Sequence, residues 1–560
     1  MPIPKRRIVV ASVAAVAAIV GTAAIPATAE PHRPAVTWEP CRRDDVADGV
    51  ECGRITVPVN WSRPHGETTT VRVYRRKAVG HTTAGTIASL PSGPGNTGDI
   101  SLTGLPAVAP EFDLISLDPR GVGESGPLTC DVQGFILPPR IPPTSQAGLH
   151  QLKADQKLSR AACATAPADL LDHLSATDTA RDLDYLREAL GLDQINIYGF
   201  SYGTLIAHRY LARFGQHVRA SVLEGTMDPA ADRRQFVTAA AATGEAVFET
   251  FTRWCASTSS CALHGQDPVE VLRRAQANAD SGRIPGDYFG NKWDSASVVG
   301  AFETTAGQNR MHQVAQQLNE LAHGRNPFGT SGDTTTGPAA PQTFKFADPI
   351  VCQDFDLAIR TVDDAVGDLA AARRVAPTVG YNTNASVYTS SCVGWPGPAP
   401  GSGGPAASRS AHPTLLVSNT LDIATPLAWA QSVQRQLGDR ATLLVIDKIG
   451  HGGALSTPGH DRDAIVDYLR TLRTPATPPY RTTTQPHATT KTDKTSVTAA
   501  PATTGEPGLT ADAEVVAAGQ HRSLAATGFA PASLIALGLG LLVLGVSLVL
   551  MPRIAPRGRE

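Results

Sequence analysis

The chain has 560 residues, of which 18% are charged, and a formal net charge of -2 at pH 7. This length allows a large hydrophobic core and more than one domain. Because the chain is nearly neutral, it does not belong to the strongly basic proteins that bind nucleic acid, and no nucleic-acid partner is predicted. It is also not a highly acidic, solvated chain.

Residues 1–29 are predicted to be a signal peptide. A basic segment at 5–7 precedes an apolar, uncharged run at 8–25. Small residues at 27–29 then form a cleavage site, so the mature chain is expected to begin at Glu30 and to be secreted.

The cysteine content agrees with export, because disulfides form and persist outside the cytoplasm. The number of cysteines is even, and we expect neighbours along the sequence to pair, although the sequence leaves other pairings open. No C-x-x-C or H-E-x-x-H motif occurs, so neither a metal site nor a cofactor is predicted. The disulfide candidates are Cys41, Cys52, Cys130, Cys163, Cys255, Cys261, Cys352 and Cys392.

The first part of the mature chain alternates predicted strands with predicted helices. One helix begins with Thr177 or Asp178 as its cap and ends at Leu190, with Leu183 and Leu186 on its apolar face. Such alternation predicts a mostly parallel sheet of the α/β class. The strands are predicted at 56–60, 70–75, 85–90, 112–117, 194–198 and 220–223.

The strand at 194–198 leads into the motif GFSYG at 199–203, and a helical pattern follows at 202–214. A strand, a tight turn and a helix are the context in which G-x-S-x-G forms a nucleophile elbow. The two glycines of the motif let the strand and the helix approach closely. Ser201 is therefore the predicted nucleophile.

The alternation of strands and helices stops after residue 229. A crossover to the next parallel strand needs only about a dozen residues, but the next convincing strand begins far beyond that. We therefore predict a large, mostly helical cap at 230–385, inserted before the strand that precedes Asp422. Helical patterns lie at 230–252, 269–279 and 298–321, a polar loop at 324–342, later strands at 414–418 and 442–446, and a last helix at 460–472.

The two later strands end in loops that carry an acid and a histidine. Asp422 follows the first strand, and His451 follows the second in a Gly-rich loop. A serine hydroxyl needs a base to remove its proton, and the base needs an orienting carboxylate. The order serine, acid, histidine is that of the α/β-hydrolase fold, so His451 is the predicted base and Asp422 its orienter. Asp447 is the rival acid, but it lies too close to its own strand end to reach across.

An oxyanion formed at Ser201 needs two preorganised N–H donors. One is expected from Tyr202, the residue after the nucleophile, and the other from the Pro/Gly loop at 91–96. We assign the second donor to Gly93; an ordinary Pro/Gly turn is the alternative interpretation of this loop.

Several further motifs accompany these residues. They are SGPG at 92–95, DPRGVGES at 118–125, GFSYGT at 199–204, LEGTMDP at 223–229, the segment Cys352-Gln353-Asp354, and Cys392 with Trp395-Pro396. Together with the Asp422 and His451 loops, this set resembles the secreted tripeptidyl aminopeptidases of the prolyl-aminopeptidase-like α/β-hydrolases over about residues 36–475. Ser92 stands where that family usually has glycine. The resemblance implies a Ser-Asp-His peptidase that releases short peptides, typically tripeptides, from a free N-terminus.

An exopeptidase of this kind needs an anion to hold the α-ammonium group of its substrate and a cap that blocks longer N-terminal extensions. Carboxylates near the cap and the strand ends are the candidates for the anion. They are Glu224, Asp228, Glu303 and Asp354, and the sequence does not choose between them.

The C-terminal region is predicted to carry a second sorting signal. Residues 474–523 are rich in Thr, Ala and Pro and form a predicted spacer. The sequence LAATG at 524–528, an apolar run at 531–551 and an Arg-containing tail then follow, in an order similar to that of sortase substrates. Sortase would cut between Thr527 and Gly528 and join the threonine to peptidoglycan. A plain transmembrane anchor is the alternative, because the run is long enough to span a bilayer.

The sequence thus predicts a serine exopeptidase anchored in the cell wall of a Gram-positive bacterium, with peptides, sortase and peptidoglycan as its partners. An esterase on the same fold and a catalytically silent surface binding protein are the alternatives. The predicted units are a signal peptide at 1–29, a hydrolase core at 30–229 and 386–473, a cap at 230–385, a spacer at 474–523 and a sorting signal at 524–560.

Overall fold

The computed structural model of the protein describes residues 35–41, 46–80, 83–131, 133–286, 292–328 and 343–475. The predicted signal peptide, nearly all of the predicted spacer and the sorting signal lie outside these residues, as does most of the predicted loop at 324–342.

The strands agree with the predicted ones at the centre of the fold and extend several of them. They are β1 Thr37–Glu39, β2 Val50–Pro58, β3 Thr68–Arg76, β4 Thr86–Leu90, β5 Asp113–Leu117, β6 Thr129–Asp131, β7 Cys163–Ala164, β8 Ile195–Phe200, β9 Val218–Glu224, β10 Thr343–Lys345, β11 Thr414–Leu421 and β12 Ala441–Ile449.

The helices are α1 Gly98–Ser101, α2 Gln146–Ala161, α3 Ala176–Ala189, α4 Gly203–Phe214, α5 Arg233–Ser257, α6 Pro268–Asp280, α7 Ser295–Ala306, α8 Met311–Ala322, α9 Asp348–Asp354, α10 Val362–Val375, α11 Thr383–Ser391, α12 Leu427–Leu437 and α13 His460–Thr471.

A nine-stranded sheet forms the centre of the protein, in the order β1-β2-β3-β5-β4-β8-β9-β11-β12. Its first three pairings are antiparallel, and every pairing from β5 to β12 is parallel. The mostly parallel α/β sheet is therefore confirmed. Because β8, β9, β11 and β12 are neighbours, their carboxyl ends lie along one edge of the sheet.

Apolar clusters cover both faces of this sheet, as a parallel sheet requires. On one face, α3, α4 and α12 pack through residues such as Leu183, Leu205 and Val433. On the other face, α13 packs through Ile465 and Leu469. The two layers fix the strand ends, so the loops that follow the strands have rigid supports.

Seven helices, α5 to α11, lie between β9 and β11 within the described residues. Four of them, α5 to α8, build an apolar core of their own around Phe248, Phe251, Phe302 and Leu318. The rest of the segment between β9 and β11 is joined to the sheet domain. Strand β10 pairs with β6 of the first part of the chain, and α9 packs into the central core. Residue 385, the predicted end of the cap, lies inside α11, so that boundary does not coincide with a break in secondary structure.

Two helix predictions differ from the structure. The cap of α3 is Ser175, whose hydroxyl oxygen accepts the Asp178 N–H at 3.2 Å, rather than Thr177 or Asp178. The single helix predicted at 298–321 is two helices, α7 and α8. The chain turns between them at Asn309, which adopts φ +56° and so leaves the helical conformation.

The described cysteines form four disulfides, in the neighbour pairing that the sequence predicts. The pairs are Cys41–Cys52, Cys130–Cys163, Cys255–Cys261 and Cys352–Cys392. Such a set is typical of an exported protein.

No helix in the described part of the chain is long and apolar enough to cross a membrane. The predicted apolar run at 531–551 falls outside that part.

Candidate active site

Ser201 lies in a sharp turn between β8 and α4 and adopts φ +54°, a conformation that few non-glycine residues take. Its N–H donates to the carbonyl oxygen of Glu224 on the neighbouring strand, at 2.9 Å. A Cβ on Gly199 would lie 2.9 Å from the Gly203 carbonyl oxygen, and one on Gly203 would lie 2.5 Å from that of Leu90. Both glycines of the motif are therefore required by close approach of the backbone.

Asp422 and His451 lie together in the loops after β11 and β12. Nδ1 of His451 is 2.8 Å from Oδ2 and 3.0 Å from Oδ1 of Asp422. The Asp422 carboxylate is fully buried and accepts the backbone N–H groups of Ala424 and Thr425, each at 2.9 Å. The rival Asp447 is exposed and instead accepts the hydroxyl of Thr420 at 3.1 Å.

The imidazole of His451 is held by neighbours on several sides. The Phe200 ring packs against it with 4.8 Å between ring centroids. The Thr425 hydroxyl oxygen lies 3.2 Å from Nδ1. A Cβ on Gly225, the residue after Glu224, would lie 3.1 Å from Cε1. The histidine thus sits beside the strand end to which the Ser201 turn is hydrogen-bonded.

The charges around His451 favour its protonated form. Burial opposes protonation, but the negative charges of Asp422 and Glu224 and the hydrogen bond to Asp422 outweigh it. The pKa of His451 is therefore raised above its ordinary value. The His451 side chain is 27% exposed, so a substrate can reach it.

The loop at 91–96 lies against the Ser201 turn, because Pro91 and Leu90 contact Gly203. Gly93 adopts φ +121°, and a Cβ there would lie 2.5 Å from the Gly95 nitrogen. The Ser92 hydroxyl accepts the side-chain amide of Asn96 at 2.7 Å and closes the loop. Serine in place of the family's glycine is thus accommodated by a hydrogen bond.

The four predicted substrate-binding acids are all buried, and each carboxylate already accepts hydrogen bonds from the chain. Glu224 accepts the Tyr198 hydroxyl and the Ala454 N–H. Asp228 accepts the Gln436 side-chain amide at 2.8 Å.

The other two predicted acids have pKa values raised by burial. Asp354 accepts the Tyr202 hydroxyl and the N–H of Ala176, and its pKa is raised to about 6. Glu303 accepts two groups of Thr383 and the side-chain amide of Asn382, and its pKa is raised to about 7. Asp354 thereby supports the residue after Ser201, a contact that no local pattern predicts.

The DPRGVGES motif at 118–125 makes buried polar contacts with neighbouring elements of the fold. Arg120 forms a bidentate ion pair with Asp182 at 2.6 and 2.7 Å, and both side chains are fully buried. Asp118 accepts the N–H groups of Gly98 and Glu124, each at 2.8 Å. The motif is structural: it anchors α3 and the start of α1 next to the sheet.

A serine on a strained turn, beside a partly exposed histidine that is hydrogen-bonded to a buried aspartate, can carry out acyl transfer. The family model described as the alpha/beta hydrolase fold matches residues 90–458. The chain belongs to this family.

Three relatives show how the family's activities divide. The serine protease Hip1 of Mycobacterium tuberculosis is 28% identical over 461 residues, which cover 74% of this chain and 85% of that protein. The tripeptidyl aminopeptidase of Streptomyces lividans is 33% identical over 221 residues, 37% of this chain and 41% of that protein. Carboxylesterase B of Mycobacterium tuberculosis is 32% identical over 449 residues, 75% of this chain and 84% of that protein.

The resemblance to tripeptidyl aminopeptidase-like hydrolases is therefore confirmed. The protein is a serine hydrolase of the α/β fold, and its relatives include both peptidases and an esterase.

Proposed function

We propose that the protein is a secreted serine exopeptidase that removes short peptides, tripeptides by preference, from free N-termini. The observation that carries the hydrolytic part of the proposal is the hydrogen-bonded Asp422–His451 pair at the sheet edge beside the Ser201 turn. Hip1, which is named as a serine protease and is matched over 85% of its length, supports a peptide substrate.

In this mechanism Ser201 attacks the scissile carbonyl carbon while its hydroxyl proton passes to Nε2 of His451. Asp422 holds Nδ1 and stabilises the imidazolium, which then protonates the leaving amine. The N–H groups of Tyr202 and Gly93 bind the oxyanion. Water, activated by the same imidazole, hydrolyses the acyl-enzyme and releases the short peptide.

The cap supports the exopeptidase part of the proposal because it touches the catalytic loops. A Cβ on Gly450 would lie 2.9 Å from the carbonyl oxygen of Gly307, at the end of α7. Ile423, the neighbour of Asp422, belongs to the apolar core of the cap. Helices placed in this way limit how far a substrate extends beyond its cleaved bond.

An acid that holds the substrate's α-ammonium group remains part of the proposal, with Glu224, Asp228, Glu303 and Asp354 as candidates. Among them Glu303 is the one in α7, the helix that reaches the His451 loop. Burial raises the pKa of Glu303 to about 7 and so disfavours its charged form, whereas an ammonium group bound beside it would favour that form.

Hydrolysis of carboxylic esters is the second candidate activity. It is favoured by carboxylesterase B, which is 32% identical to this chain and matched over 84% of its length. The same serine, histidine and aspartate would act on an ester, so the substrate and not the mechanism separates the two candidates.

Analysis of the products formed from an unmodified peptide tests the proposal. We expect mass spectrometry to detect tripeptides released in sequence from the N-terminus, and no release by the Ser201→Ala variant. Internal cleavage, or release from the C-terminus, would contradict an N-terminal exopeptidase.

We also propose that sortase attaches the mature protein to peptidoglycan through Thr527. The LAATG sequence, the apolar run and the Arg-containing tail support this, and a spacer of the composition found at 474–523 suits a chain that crosses a cell wall. Protein released from walls by a muramidase should end at Thr527 plus a wall fragment, and a Thr527→Ala variant should not be attached. Recovery of an intact C-terminus in the membrane fraction would instead indicate a transmembrane anchor.

A further inference from the structure

Glu224, the last residue of β9, contacts both the Ser201 turn and the His451 loop through different atoms. Its carbonyl oxygen accepts the Ser201 N–H at 2.9 Å. Its carboxylate accepts the N–H of Ala454, three residues beyond His451, at 2.8 Å, and the hydroxyl of Tyr198. One residue thus ties together two loops that are far apart in the sequence.

The His451 loop is shaped to lie on this carboxylate. Gly452 adopts φ +63°, and a Cβ there would lie 2.2 Å from the Phe200 ring and 3.3 Å from Oε1 of Glu224. On the other side of the loop, the Asn419 side-chain amide donates to the carbonyl oxygens of Gly450 and Gly452 at 2.7 and 3.0 Å. The loop therefore has a defined position between the amide of Asn419 and the carboxylate of Glu224.

Glu224 is only 2% exposed, and its two hydrogen-bond donors, a hydroxyl and an amide, are neutral. A buried carboxylate is costly unless a positive charge compensates it. Lys448 faces the same loop, but its ammonium group donates to the Gly452 carbonyl oxygen at 3.3 Å. The charge of Glu224 acts on the imidazole of His451, so an imidazolium there supplies compensating positive charge.

We infer that Glu224 is a positioning residue of the hydrolytic site, holding the His451 loop on the Ser201 turn and stabilising His451 while it is protonated. This inference rests on the assignment of His451 as the base in the proposed function. During turnover the imidazolium forms when the proton leaves Ser201 and again when water attacks the acyl-enzyme, and each time it is lost when the proton passes to the leaving group. A second carboxylate at this point therefore favours the transition state over the free enzyme.

The titratable groups that act on the imidazole in the described part of the chain are Asp422 and Glu224. Asp422 bonds to Nδ1 directly, whereas Glu224 acts through the loop and by its charge. Tyr198 stays a neutral donor, because burial raises its pKa well above the ordinary value. Replacing Glu224 with glutamine removes its charge and keeps its shape. The rate falls at low pH as His451 becomes protonated, and this acid limb of the pH profile should therefore move.

The experiment compares the pH dependence of the mature wild-type protein with that of Glu224→Gln, using two reactions. One is cleavage of a tripeptide chromophoric amide with a free N-terminus. The other is inactivation by a fluorophosphonate, which reacts with an activated serine and needs no peptide substrate. We expect the acid limb to move to lower pH by about one unit in both reactions. The rate on the plateau above the acid limb is expected to fall about tenfold in both reactions.

Tyr198→Phe is the matched control, because it removes one hydrogen bond to the carboxylate and leaves the charge; it should retain the wild-type acid limb. A wild-type acid limb in Glu224→Gln would overturn the inference. A higher KM for free-N-terminus substrates alone, with the acid limb unchanged, would overturn it in favour of a substrate-ammonium role.

If Glu224→Gln does not fold, Glu224→Asp keeps the charge but retracts it by one methylene. A smaller shift to lower pH supports the inference, and no shift or a shift to higher pH contradicts it. The fluorophosphonate reaction separates the two claims: failure of the peptide assay alone would contradict the exopeptidase proposal, whereas an unreactive Ser201 would overturn both.

Discussion

The hydroxyl of Thr425 donates a hydrogen bond of 2.9 Å to Oδ2 of Asp422, three residues before it. The same hydroxyl oxygen lies 3.2 Å from Nδ1 of His451, and the Thr425 N–H also donates to the Asp422 carboxylate. Thr425 therefore fixes the rotation of the carboxylate that orients the imidazole, although its position in the sequence gave no sign of this role.

Replacing Thr425 with valine should lower kcat about tenfold and change KM little, because one buried hydrogen bond to the acid–histidine pair is lost. Steady-state kinetics on a tripeptide amide or an acyl ester provides the measurement. Thr425→Ser, which restores the hydroxyl, should recover most of the activity. A valine variant with the wild-type kcat would show that the hydroxyl does not position the pair.

Replacing Asp422 with asparagine should lower kcat by about 10⁴, since the amide favours the wrong imidazole tautomer and cannot stabilise the imidazolium. Asp447→Asn is the matched control, because Asp447 is a carboxylate after the neighbouring strand, exposed and bonded to Thr420. That variant should keep nearly full activity. The reverse order of losses would transfer the orienting role to Asp447.

Glu303 should make the stability of the protein depend on pH. Burial raises its pKa to about 7 from 4.5, so the folded state holds a proton that the unfolded state releases. The stabilisation is complete below about pH 4.5 and is lost as the pH rises through about 7, with a total of about 3 kcal/mol.

Urea unfolding of the wild type and of Glu303→Gln at pH 5 and pH 8 measures this effect. The amide of the variant does not titrate, so the free-energy difference between the two proteins should change with pH. The subtraction removes the contribution of Asp118 and Asp354, whose pKa values burial also raises to about 6. A difference that is the same at both pH values would contradict the prediction.

The Cys352–Cys392 disulfide should contribute more to stability than Cys255–Cys261. The two bridges span 40 and 6 residues, and loop-closure entropy then gives about 4 and about 2 kcal/mol. Thermal unfolding of the two double-alanine variants compares them.

The variant that lacks Cys352–Cys392 should also lose activity, because Cys352 holds the helix from which Asp354 supports Tyr202. Equal loss of activity in both variants would argue against this link.

The parts of the site that could be predicted from the sequence depend on local patterns. A strand, two glycines and a helix predict the position of Ser201. Asp422 and His451 each follow a strand that its apolar residues make recognisable. Topology then brings the ends of neighbouring parallel strands to one edge.

The contacts that could not be predicted join residues far apart in the chain. Glu224 and Ala454 are 230 residues apart, and Ala176 and Asp354 are 178 apart. A buried carboxylate of this kind looks the same in the sequence as one that binds substrate, since its partners are backbone N–H groups that every residue carries. The break between α7 and α8 at Asn309 could not be predicted either, because apolar residues continue at helical spacing on both sides of it.

Comparison of a tripeptide chromophoric amide carrying a free N-terminus with the same compound acylated at its N-terminus tests the exopeptidase proposal most directly. A short acyl ester and the Ser201→Ala variant complete the set. We predict that the free amide is cleaved with a kcat/KM at least about a hundredfold higher than that of the blocked one, and that Ser201→Ala is inactive on both. Equal cleavage of the free and blocked amides, or cleavage of the ester alone, would contradict the account.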